Sequence, residues 1–267
     1  MVHTIRATRH VMVEFQMLGE EVKDFYVQSL QHGRLESYEP PISEIILRLA
    51  SSFPDTPWSF VDVGANTGIY TLSVAACHPF AHCHAFEPAP SIKDLLLRNI
   101  SLNPHLKARI SCHAVGLSSR SGFAKFYETK NDQGFVSTSS SLHAPKDLPY
   151  SEYPVELQRL DDQALEHKVR LLKVDVEGHE LDVLEGGKET IQTHRPVIIF
   201  EVLNSSGGPR FNTIASALNY CFFAIIGNSF SCSPTFVSGD QFNYILCPAE
   251  QTSNIQRILI DTGLSPL

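Results

Sequence analysis

The nine residues from Phe60 to Gly68 constrain the fold of this chain more than any other stretch. They spell F-V-D-V-G-A-N-T-G, a short apolar run that is followed by two glycines. Apolar residues then recur from Ile69 to Ala76 with helical spacing. A strand, a glycine turn and a helix in this order are typical of the first unit of a doubly wound α/β sheet. Glycine is expected at such a turn because a Cβ atom would keep a ligand away from the backbone.

The polar residues of this stretch indicate which ligand would suit it. Dinucleotide sites use G-x-G-x-x-G and place a pyrophosphate at the helix N-terminus, but Asn66 stands where the second glycine is expected. Asp62 would repel a pyrophosphate and would suit a ligand with an ammonium and a sulfonium. This D-x-G-x-N-x-G pattern resembles the first motif of class I S-adenosylmethionine (SAM)-dependent methyltransferases. We therefore expect Asp62, Gly64, Asn66 and Gly68 at the cofactor; the alternative is a glycine turn without a ligand.

Charge and hydropathy narrow the class of protein. The formal net charge is −8, and no basic stripe is present, so nucleic acid is not an expected partner. No apolar run reaches 18 residues, and the N-terminus has no compact apolar core of a signal peptide, which predicts a soluble protein without a membrane span. The six cysteines form no C-x-x-C motif, as expected for thiols in a reducing compartment. We expect a cytoplasmic protein.

The residues before the central strand are predicted to form a lid. We divide the chain into an N-terminal helical segment, 1–57, and a cofactor-binding region, 58–267, within one compact domain overall. Ser43 is the expected N-cap of a helix that continues to Ala50. Glu39 lies before that helix in the sequence Y-E-P-P, which indicates either a plain turn or a lid that contacts the cofactor.

An acidic residue follows the second predicted strand, Cys83 to Phe86. Glu87 lies 19 residues after Gly68 (87 − 68), close to the spacing at which an acid binds ribose hydroxyls beyond a nucleotide glycine loop. Pro88 ends the strand beside it and is, with Glu87, a candidate cofactor-binding residue. The alternative for Glu87 is a solvated turn carboxylate. The pair His82 and His84 has no third ligand nearby in sequence, so no metal site is predicted.

The next predicted strand, Arg109 to Val115, is expected to end beside the adenine. Val115 and Gly116 are therefore candidate cofactor residues. Residues 118–153 are rich in Ser, Gly, Lys and Pro, which predicts a functional or mobile loop or a disordered insertion. An extra strand is indicated at Val155 to Gln158.

Acidic residues also follow two later apolar runs. Asp175 and Glu177 come after Leu171 to Val174, and being two residues apart they would lie on one side of an extended strand. Glu201 ends the run that begins at Pro196. Because buried carboxylates are costly unless they are paired or used, these positions indicate a functional site at the carboxyl ends of the strands.

Several of these motifs together resemble the FkbM-type SAM-dependent methyltransferases. The resemblance covers roughly residues 38–204, and it implies a doubly wound, seven-stranded Rossmann-like sheet, mostly parallel, with an antiparallel C-terminal hairpin. It also implies SAM as cofactor and, usually, methylation of a hydroxyl on a sugar or natural product. The most specific part is D-V-E-G-x-E, from Asp175 to Glu180. The motifs are D-V-G-A-N-T-G at 62–68, F-E-P at 86–88, K-V-D-V-E-G-H-E at 173–180, V-L-E-G-G at 183–187 and I-F-E at 199–201.

Methyl transfer to an alcohol needs in-line positioning and a group that takes the hydroxyl proton. The candidates are His179, Asp175, Glu177 and Glu201. We expect His179 to be the base, because its ordinary pKa lies near neutrality. Asp175 would orient the substrate or the SAM amino group, and Glu177 would hold the turn or a neighbouring cation. The alternatives to this enzyme are a nicotinamide-dependent oxidoreductase and a SAM-binding module without turnover.

Overall fold

A mixed β-sheet with helices on both faces forms the centre of the structure. The computed structural model describes residues 2–6, 11–18, 34–129, 141–145, 149–202, 207–237 and 243–267. Within these ranges no helix is long and apolar enough to cross a membrane. The strands are β1 (Val2–Arg6), β2 (Glu14–Leu18), β3 (Trp58–Val63), β4 (Ala81–Phe86), β5 (Ile110–His113), β6 (Gly116–Leu117), β7 (Gly122–Thr129), β8 (Tyr150–Gln158), β9 (Val169–Val174), β10 (Val197–Glu201), β11 (Tyr220–Ile226), β12 (Ser229–Ser233), β13 (Asn243–Pro248) and β14 (Ser265–Pro266).

The helices alternate with the strands along most of the chain, as expected for βαβ units. The α-helices are α1 (Ile42–Ser52), α2 (Ile69–Cys77), α3 (Pro90–Ser101), α4 (Pro104–Lys107), α5 (Glu180–Gly186), α6 (Lys188–His194), α7 (Gly208–Leu218) and α8 (Thr252–Asp261). Short 3₁₀ turns lie at Leu35–Ser37, Leu160–Asp162 and Ala249–Gln251.

The central sheet has the strand order β14-β12-β11-β13-β10-β9-β3-β4-β5 in the described part of the chain. The five strands from β10 to β5 are parallel, and β13 is antiparallel to both β10 and β11. The predicted doubly wound, mostly parallel sheet is confirmed. The predicted count of seven strands is not, because β12 and β14 extend the edge beyond β11 to make nine. The C-terminal hairpin was expected between Cys221–Ile226 and Phe242–Cys247. The strands there, β11 and β13, do pair antiparallel, but β11 turns directly into β12, and β13 then inserts between β11 and β10.

Two hydrophobic cores cover the two faces of this sheet. Phe60 of β3 and Leu171 of β9 face the core that contains α1 and α2. Val61 and Leu172, one position later, face the core that contains α5 and α7. The central strands are therefore apolar on both faces, which explains why they appear in the sequence as continuous apolar runs.

The described part of the segment 1–57 packs into the first of these cores. Residues of β1, β2 and α1 belong to the same cluster as α2. The side chain of Asn99 on α3 accepts a hydrogen bond from the Leu18 N–H (2.9 Å) and donates one to the Thr67 carbonyl (2.8 Å). β2 is thereby tied to the glycine loop. The N-cap of α1 is Pro41, and Ser43 lies inside the helix, where its hydroxyl donates to the Tyr38 carbonyl, so the predicted Ser43 cap is wrong.

Two stretches of the segment 118–153, Gly122–Thr129 and the residues from Tyr150 onward, are β-strands rather than loop. β7 and β8 pair antiparallel, and β6 pairs with β8 in a separate three-stranded sheet. The predicted strand at 155–158 is confirmed and is longer than expected. One face of this small sheet is exposed, so its strands alternate polar and apolar residues. The segment therefore has a polar composition, which did not indicate strands. Residues 130–140 and 146–148 of this segment lie outside the described residues.

Gly64 is required by the packing of two strand ends. Its φ is +76°, and a Cβ atom there would lie 1.9 Å from the Asp175 carbonyl oxygen. Gly68 has φ +88°, and its Cβ would lie 2.4 Å from Leu96 Cδ1. The expectation that these glycines make room for a ligand is therefore incomplete, because each also makes room for a neighbouring part of the protein.

We expect Gly64→Ala to destabilise the protein more than Gly263→Ala. Gly263 has a comparable φ of +93°, but a Cβ atom there would meet nothing within 4 Å. In the control, Gly263→Ala, the free energy of unfolding should fall only by the cost of the strained backbone, of order 1 kcal/mol. Gly64→Ala adds a clash with the Asp175 carbonyl, so its free energy of unfolding should fall at least twice as much. Urea denaturation measures both free energies of unfolding. Equal losses would show that the end of β9 moves freely away from Gly64.

Candidate active site

A cavity opens at the carboxyl ends of the parallel strands. Its empty volume is about 940 Å³ when open solvent within its outline is included. Gly64 after β3, Glu87 after β4, Asp175 after β9 and Glu201 at the end of β10 all line it. This is the edge at which open α/β sheets bind ligands.

Each strand presents a polar residue toward this cavity, because the last apolar residue on that face of the strand lies two positions earlier in the sequence. In β9, Leu171 faces the first core, and the next residue on the same side is Lys173. The same change from apolar to polar occurs on the other strands facing α2. The pairs are Phe60 and Asp62, Ala85 and Glu87, and Ile199 and Glu201.

Glu87 holds the glycine loop against β4. One carboxylate oxygen accepts the Asn66 N–H (3.0 Å), and the other accepts the Ala89 N–H (2.9 Å). Asn66 has φ +51°, a conformation that Asn tolerates better than most residues. Burial raises the pKa of Glu87 to about 7. Glu87 is therefore a buried, backbone-bound carboxylate and not the solvated turn residue of the alternative interpretation.

Asp62 lies beneath the cavity rather than in its lining. Its Oδ2 accepts a hydrogen bond from the Thr71 hydroxyl (2.6 Å). Its Oδ1 is buried and has no hydrogen-bond partner within the described ranges. Burial raises the pKa of this carboxyl, and the charge of Lys173 opposes the shift. An unpaired buried carboxylate oxygen is costly, which fits a site for a cationic ligand.

Lys173 is a site residue that the sequence did not identify. Its side chain is 6% exposed, and its Nζ lies 2.7 Å from Asp175 Oδ2 and 4.7 Å from the centroid of the Tyr70 ring. Burial lowers the pKa of Lys173, but the carboxylates of Asp175, Glu39 and Asp62 outweigh this effect and raise it overall. The side chain is therefore a buried ammonium. A lysine directly after Leu171 and Leu172, inside an otherwise apolar run, was the signal that could have identified it.

Glu39 reaches the site through Tyr70. The Tyr70 hydroxyl donates to Glu39 Oε2 (2.7 Å), and the Tyr38 ring lies 5.5 Å from the Tyr70 ring. Tyr38 and Tyr70 line the cavity, and Glu39 does not. The segment before α1 therefore does contribute to the cavity, but through the Tyr38 side chain rather than through Glu39.

The turn after β9 is more sharply bent than expected. β9 ends at Val174, and Glu177 has φ +54°, so Asp175 and Glu177 do not lie on one extended strand as predicted. Glu180 accepts hydrogen bonds from the N–H groups of Gly178 (2.9 Å) and Val176 (3.4 Å) and so stabilises the turn.

The carboxyls of Glu177 and Glu201 have pKa values near neutrality. Burial raises each pKa to about 7, and the negative charge of Asp175 adds to the shift in both cases. In the described part of the chain, neither side chain has a hydrogen-bond or ion-pair partner. Perturbed carboxyls of this kind in a cavity are typical of functional sites.

His179 immediately precedes α5 and lines the same cavity. Its Nε2 lies 2.9 Å from the Ser118 hydroxyl, and its Nδ1 lies 3.5 Å from Asp182 Oδ2. Burial lowers the pKa of His179, which keeps the ring neutral at neutral pH. Ser118 was not predicted, because it lies 61 residues away in sequence within the segment expected to be a loop.

The structure brings most of the predicted site residues into one cavity. No group of three or more His, Cys, Asp or Glu side chains with metal-binding geometry occurs among the residues described. Glu39, Asp62, Gly68 and Val115 are not in the lining. The predicted residues that do line the cavity are Gly64, Asn66, Glu87, Pro88, Gly116, Asp175, Glu177, His179 and Glu201.

We expect the glutamates with raised pKa values to make stability depend on pH. A pKa of about 7 in the fold against an ordinary 4.5 means that the stabilising contribution is complete below pH 4.5 and is lost as the pH rises through 7. Glu201→Gln removes one such contribution. The loss in unfolding free energy between pH 5 and pH 8 should therefore be smaller in this variant than in the parent, by roughly 1 kcal/mol because the group is partly solvated. Urea denaturation at the two pH values tests this; identical pH dependence would contradict it.

Comparison with known proteins gives one family and several relatives. Residues 62–224 match the Methyltransferase FkbM domain. Methyltransferase sdnD from Sordaria araneosa is 33% identical over 169 residues, which cover 52% of this chain and 63% of that protein. The 2-O-methyltransferase NoeI from Sinorhizobium fredii is 29% identical over 197 residues, 67% of this chain and 79% of that protein. The hexuronic acid methyltransferase AglP from Haloferax volcanii is 32% identical over 141 residues, 52% of this chain and 53% of that protein. The chain thus spans less than two thirds of the length of sdnD and AglP.

Proposed function

Since this chain belongs to the FkbM family of SAM-dependent methyltransferases, we propose that it methylates a hydroxyl of a sugar or another natural-product small molecule. The observation that carries the proposal is the cavity at the strand ends, where the glycine loop lies beside several groups able to accept a proton. A nicotinamide-dependent oxidoreductase does not fit this family. A SAM-binding module without turnover is the remaining alternative.

The lining of the cavity fits the methyl donor. We assign the turn at Gly64 and Asn66 to the backbone cradle of the cofactor, and Glu87, which lines the cavity after β4, to the ribose hydroxyls. The carboxylate of Asp175 in the lining suits a ligand with positive charge, and the unpaired Oδ1 of Asp62 adds negative charge beneath the cavity. SAM supplies a methyl group that is already activated for displacement, so the protein contributes mainly by orienting the reactants.

We assign to His179 the role of the base that removes the proton of the acceptor hydroxyl. Asp182 lies beside Nδ1 and itself accepts a hydrogen bond from the Ser119 hydroxyl (2.9 Å). This arrangement favours the tautomer with the proton on Nδ1 and leaves Nε2 as an acceptor. In the proposed complex the acceptor hydroxyl replaces the Ser118 hydroxyl as the donor to Nε2. Glu177 and Glu201, whose pKa values are near 7, are the alternative bases.

The name of one relative supports a hydroxyl acceptor, since NoeI is named a 2-O-methyltransferase. AglP is named for a hexuronic acid, an anionic sugar, and its name does not say which oxygen is methylated. Carboxyl groups are prominent around the cavity of the present chain, and such a lining disfavours anionic acceptors. We therefore assign to this chain a neutral or cationic hydroxyl compound.

We expect His179→Ala to lower kcat by roughly 10²–10⁴-fold, the usual contribution of a general base. Affinity for SAM, measured by calorimetry, should remain close to that of the parent. Turnover is measured as transfer of labelled methyl to a panel of sugars and extracted small metabolites. His105→Ala is the matched control, because His105 is exposed on α4 outside the cavity. Full turnover in His179→Ala would move the base assignment to Glu201 or Glu177.

We expect Glu87→Ala to weaken SAM binding by about 1.5–3 kcal/mol, the range for a hydrogen bond to a charged group. Part of any loss could come from the loop, because Glu87 also holds the N–H of Asn66. The 2′-deoxy analogue of S-adenosylhomocysteine separates the two causes. The parent protein should prefer the ribose compound, and Glu87→Ala should bind both compounds equally. A variant that keeps the full preference would exclude Glu87 from ribose binding.

A further inference from the structure

Three aromatic rings stack on the face of the central sheet that belongs to the core with α5 and α7. His84 and Phe86 are two residues apart on β4, and Phe86 is in register with His113 on β5. The centre of the His113 ring lies 4.3 Å from that of Phe86, with 10° between the planes, and 5.7 Å from that of His84. We call these three residues the histidine stack. Neither histidine lines the cavity, so the methyl transfer proposed above does not use them.

Both imidazoles of the stack have a buried nitrogen without a partner. His84 is 8% exposed, and neither its Nδ1 nor the Nε2 of His113 has a hydrogen-bond partner within the described ranges. The other nitrogen of His84, Nε2, lies 3.4 Å from the Ser59 hydroxyl on β3. A protonated imidazole carries an N–H on both nitrogens, and a buried N–H without an acceptor is costly. The fold therefore holds both rings in the neutral form.

The groups around the stack also disfavour a positive charge. Burial lowers the pKa of His84 to about 4, and three other histidines add to this shift: His113 on β5, His82 on β4 and His167 before β9. Burial also lowers the pKa of His113. No carboxylate of the described residues contributes to either shift. The stack therefore has no counter-ion that would stabilise a proton taken up from water.

His82 and His167 form a second pair further down β4. The centres of their rings lie 4.4 Å apart. Burial lowers the pKa of His82, His167 and Arg109 lower it further, and Glu166 opposes the shift. Glu166 is exposed and acts on His82 rather than on the stack. Protonation of this second pair makes protonation of His84 harder still.

The backbone of the stack holds the cofactor loop. The Phe86 carbonyl accepts hydrogen bonds from the N–H groups of Gly64 (3.0 Å) and Ala65 (3.1 Å), and the His113 carbonyl accepts one from the Glu87 N–H (3.0 Å). The residues whose rings form the stack therefore also fix the glycine loop and the carboxylate that we assign to the ribose. Separation of β4 from β5 would disturb both.

We propose that the histidine stack makes cofactor binding sensitive to acid: proton uptake by His84 or His113 opens the contact between β4 and β5, displaces Glu87 and the glycine loop, and releases the cofactor. This inference rests on the proposed function and adds a regulation of the same site. An imidazole in the opened form has an ordinary pKa near 6.5, whereas in the closed stack its pKa is lower. The closed form is therefore fully favoured above pH 6.5 and loses stability as the pH falls below it.

The first test measures the affinity for S-adenosylhomocysteine by calorimetry at pH 7.5 and pH 5.5. The double variant His84→Gln/His113→Phe keeps a ring on Phe86 and a polar group near Ser59, but it has no proton to take up there. Affinity should fall about 3–10-fold more in the parent than in this variant, because one imidazole changes binding by at most about tenfold over this interval. The carboxyls of the cavity titrate in both proteins and do not contribute to the difference. An equal fall would overturn the proposal.

His105→Gln is the control for the loss of a histidine as such. His105 is exposed on α4 and lies outside the cavity. This variant should show the same fall in affinity between the two pH values as the parent. A control that loses the pH dependence to the same extent as the double variant would also contradict the role of the stack.

The second test uses the unmodified protein and remains available if the double variant does not fold. NMR of ¹³C-labelled histidine rings, assigned through the backbone, gives the pKa of His84 and His113 with and without S-adenosylhomocysteine. The ligand should lower the pKa of at least one of the two rings, because it keeps the stack closed. An unchanged pKa at both would make the stack purely structural and overturn the proposal.

The outcomes separate this inference from the function on which it rests. Binding of S-adenosylhomocysteine with equal pH dependence in parent and double variant would overturn only the role of the stack. Loss of the far-ultraviolet circular dichroism of the parent at pH 5.5 would show unfolding of the whole chain and would likewise overturn a local opening. No binding to the unmodified protein at pH 7.5 would overturn the proposed function itself.

Discussion

The contact between the ends of β3 and β9 is the constraint on which the rest of the site depends. The Asp175 N–H donates to the Val63 carbonyl (3.0 Å), while the N–H of Gly64 donates to the Phe86 carbonyl of β4 (3.0 Å). Three strands are thereby joined at the point where the chain leaves the sheet. Only glycine allows this approach, because a Cβ atom at residue 64 would overlap the carbonyl of Asp175. The cavity is the space that this junction leaves above the strand ends.

Buried charged side chains distinguish the carboxyl ends of the strands from the apolar core below them. One buried ammonium, Lys173, lies among carboxylates from β3, β9 and the segment before α1. Such an arrangement gains little stability, because desolvation offsets most of the attraction between the charges. The pKa values of about 7 at Glu177 and Glu201 show that desolvation also disfavours the charged forms of these two side chains. A protein that carries this cost at one edge of its sheet has concentrated its function there.

The sequence predicted the parallel strands and the acids that follow them, because both signals are local. A buried parallel strand is a short apolar run, and its carboxyl end is marked by the first polar residue, as at Glu87 and Glu201. The number of strands was wrong, since β12 and β14 are short strands at one end of the sheet with weak sequence patterns. Lys173 and Ser118 were missed as site residues, because their partners are set by strand register and by contacts between distant segments.

The sequence by itself determined the fold class and the edge of the sheet that carries the site, because both follow from residue spacing within βα units. It indicated the family through the resemblance of several motifs between residues 62 and 201. The tertiary structure alone decided how the acids are used. It placed Asp62 beneath the cavity with Thr71, joined Glu39 to Tyr70 and paired Asp175 with Lys173. These pairings connect residues from different strands and helices, and the energy of a buried charge depends on which partners the folded chain brings within hydrogen-bond distance.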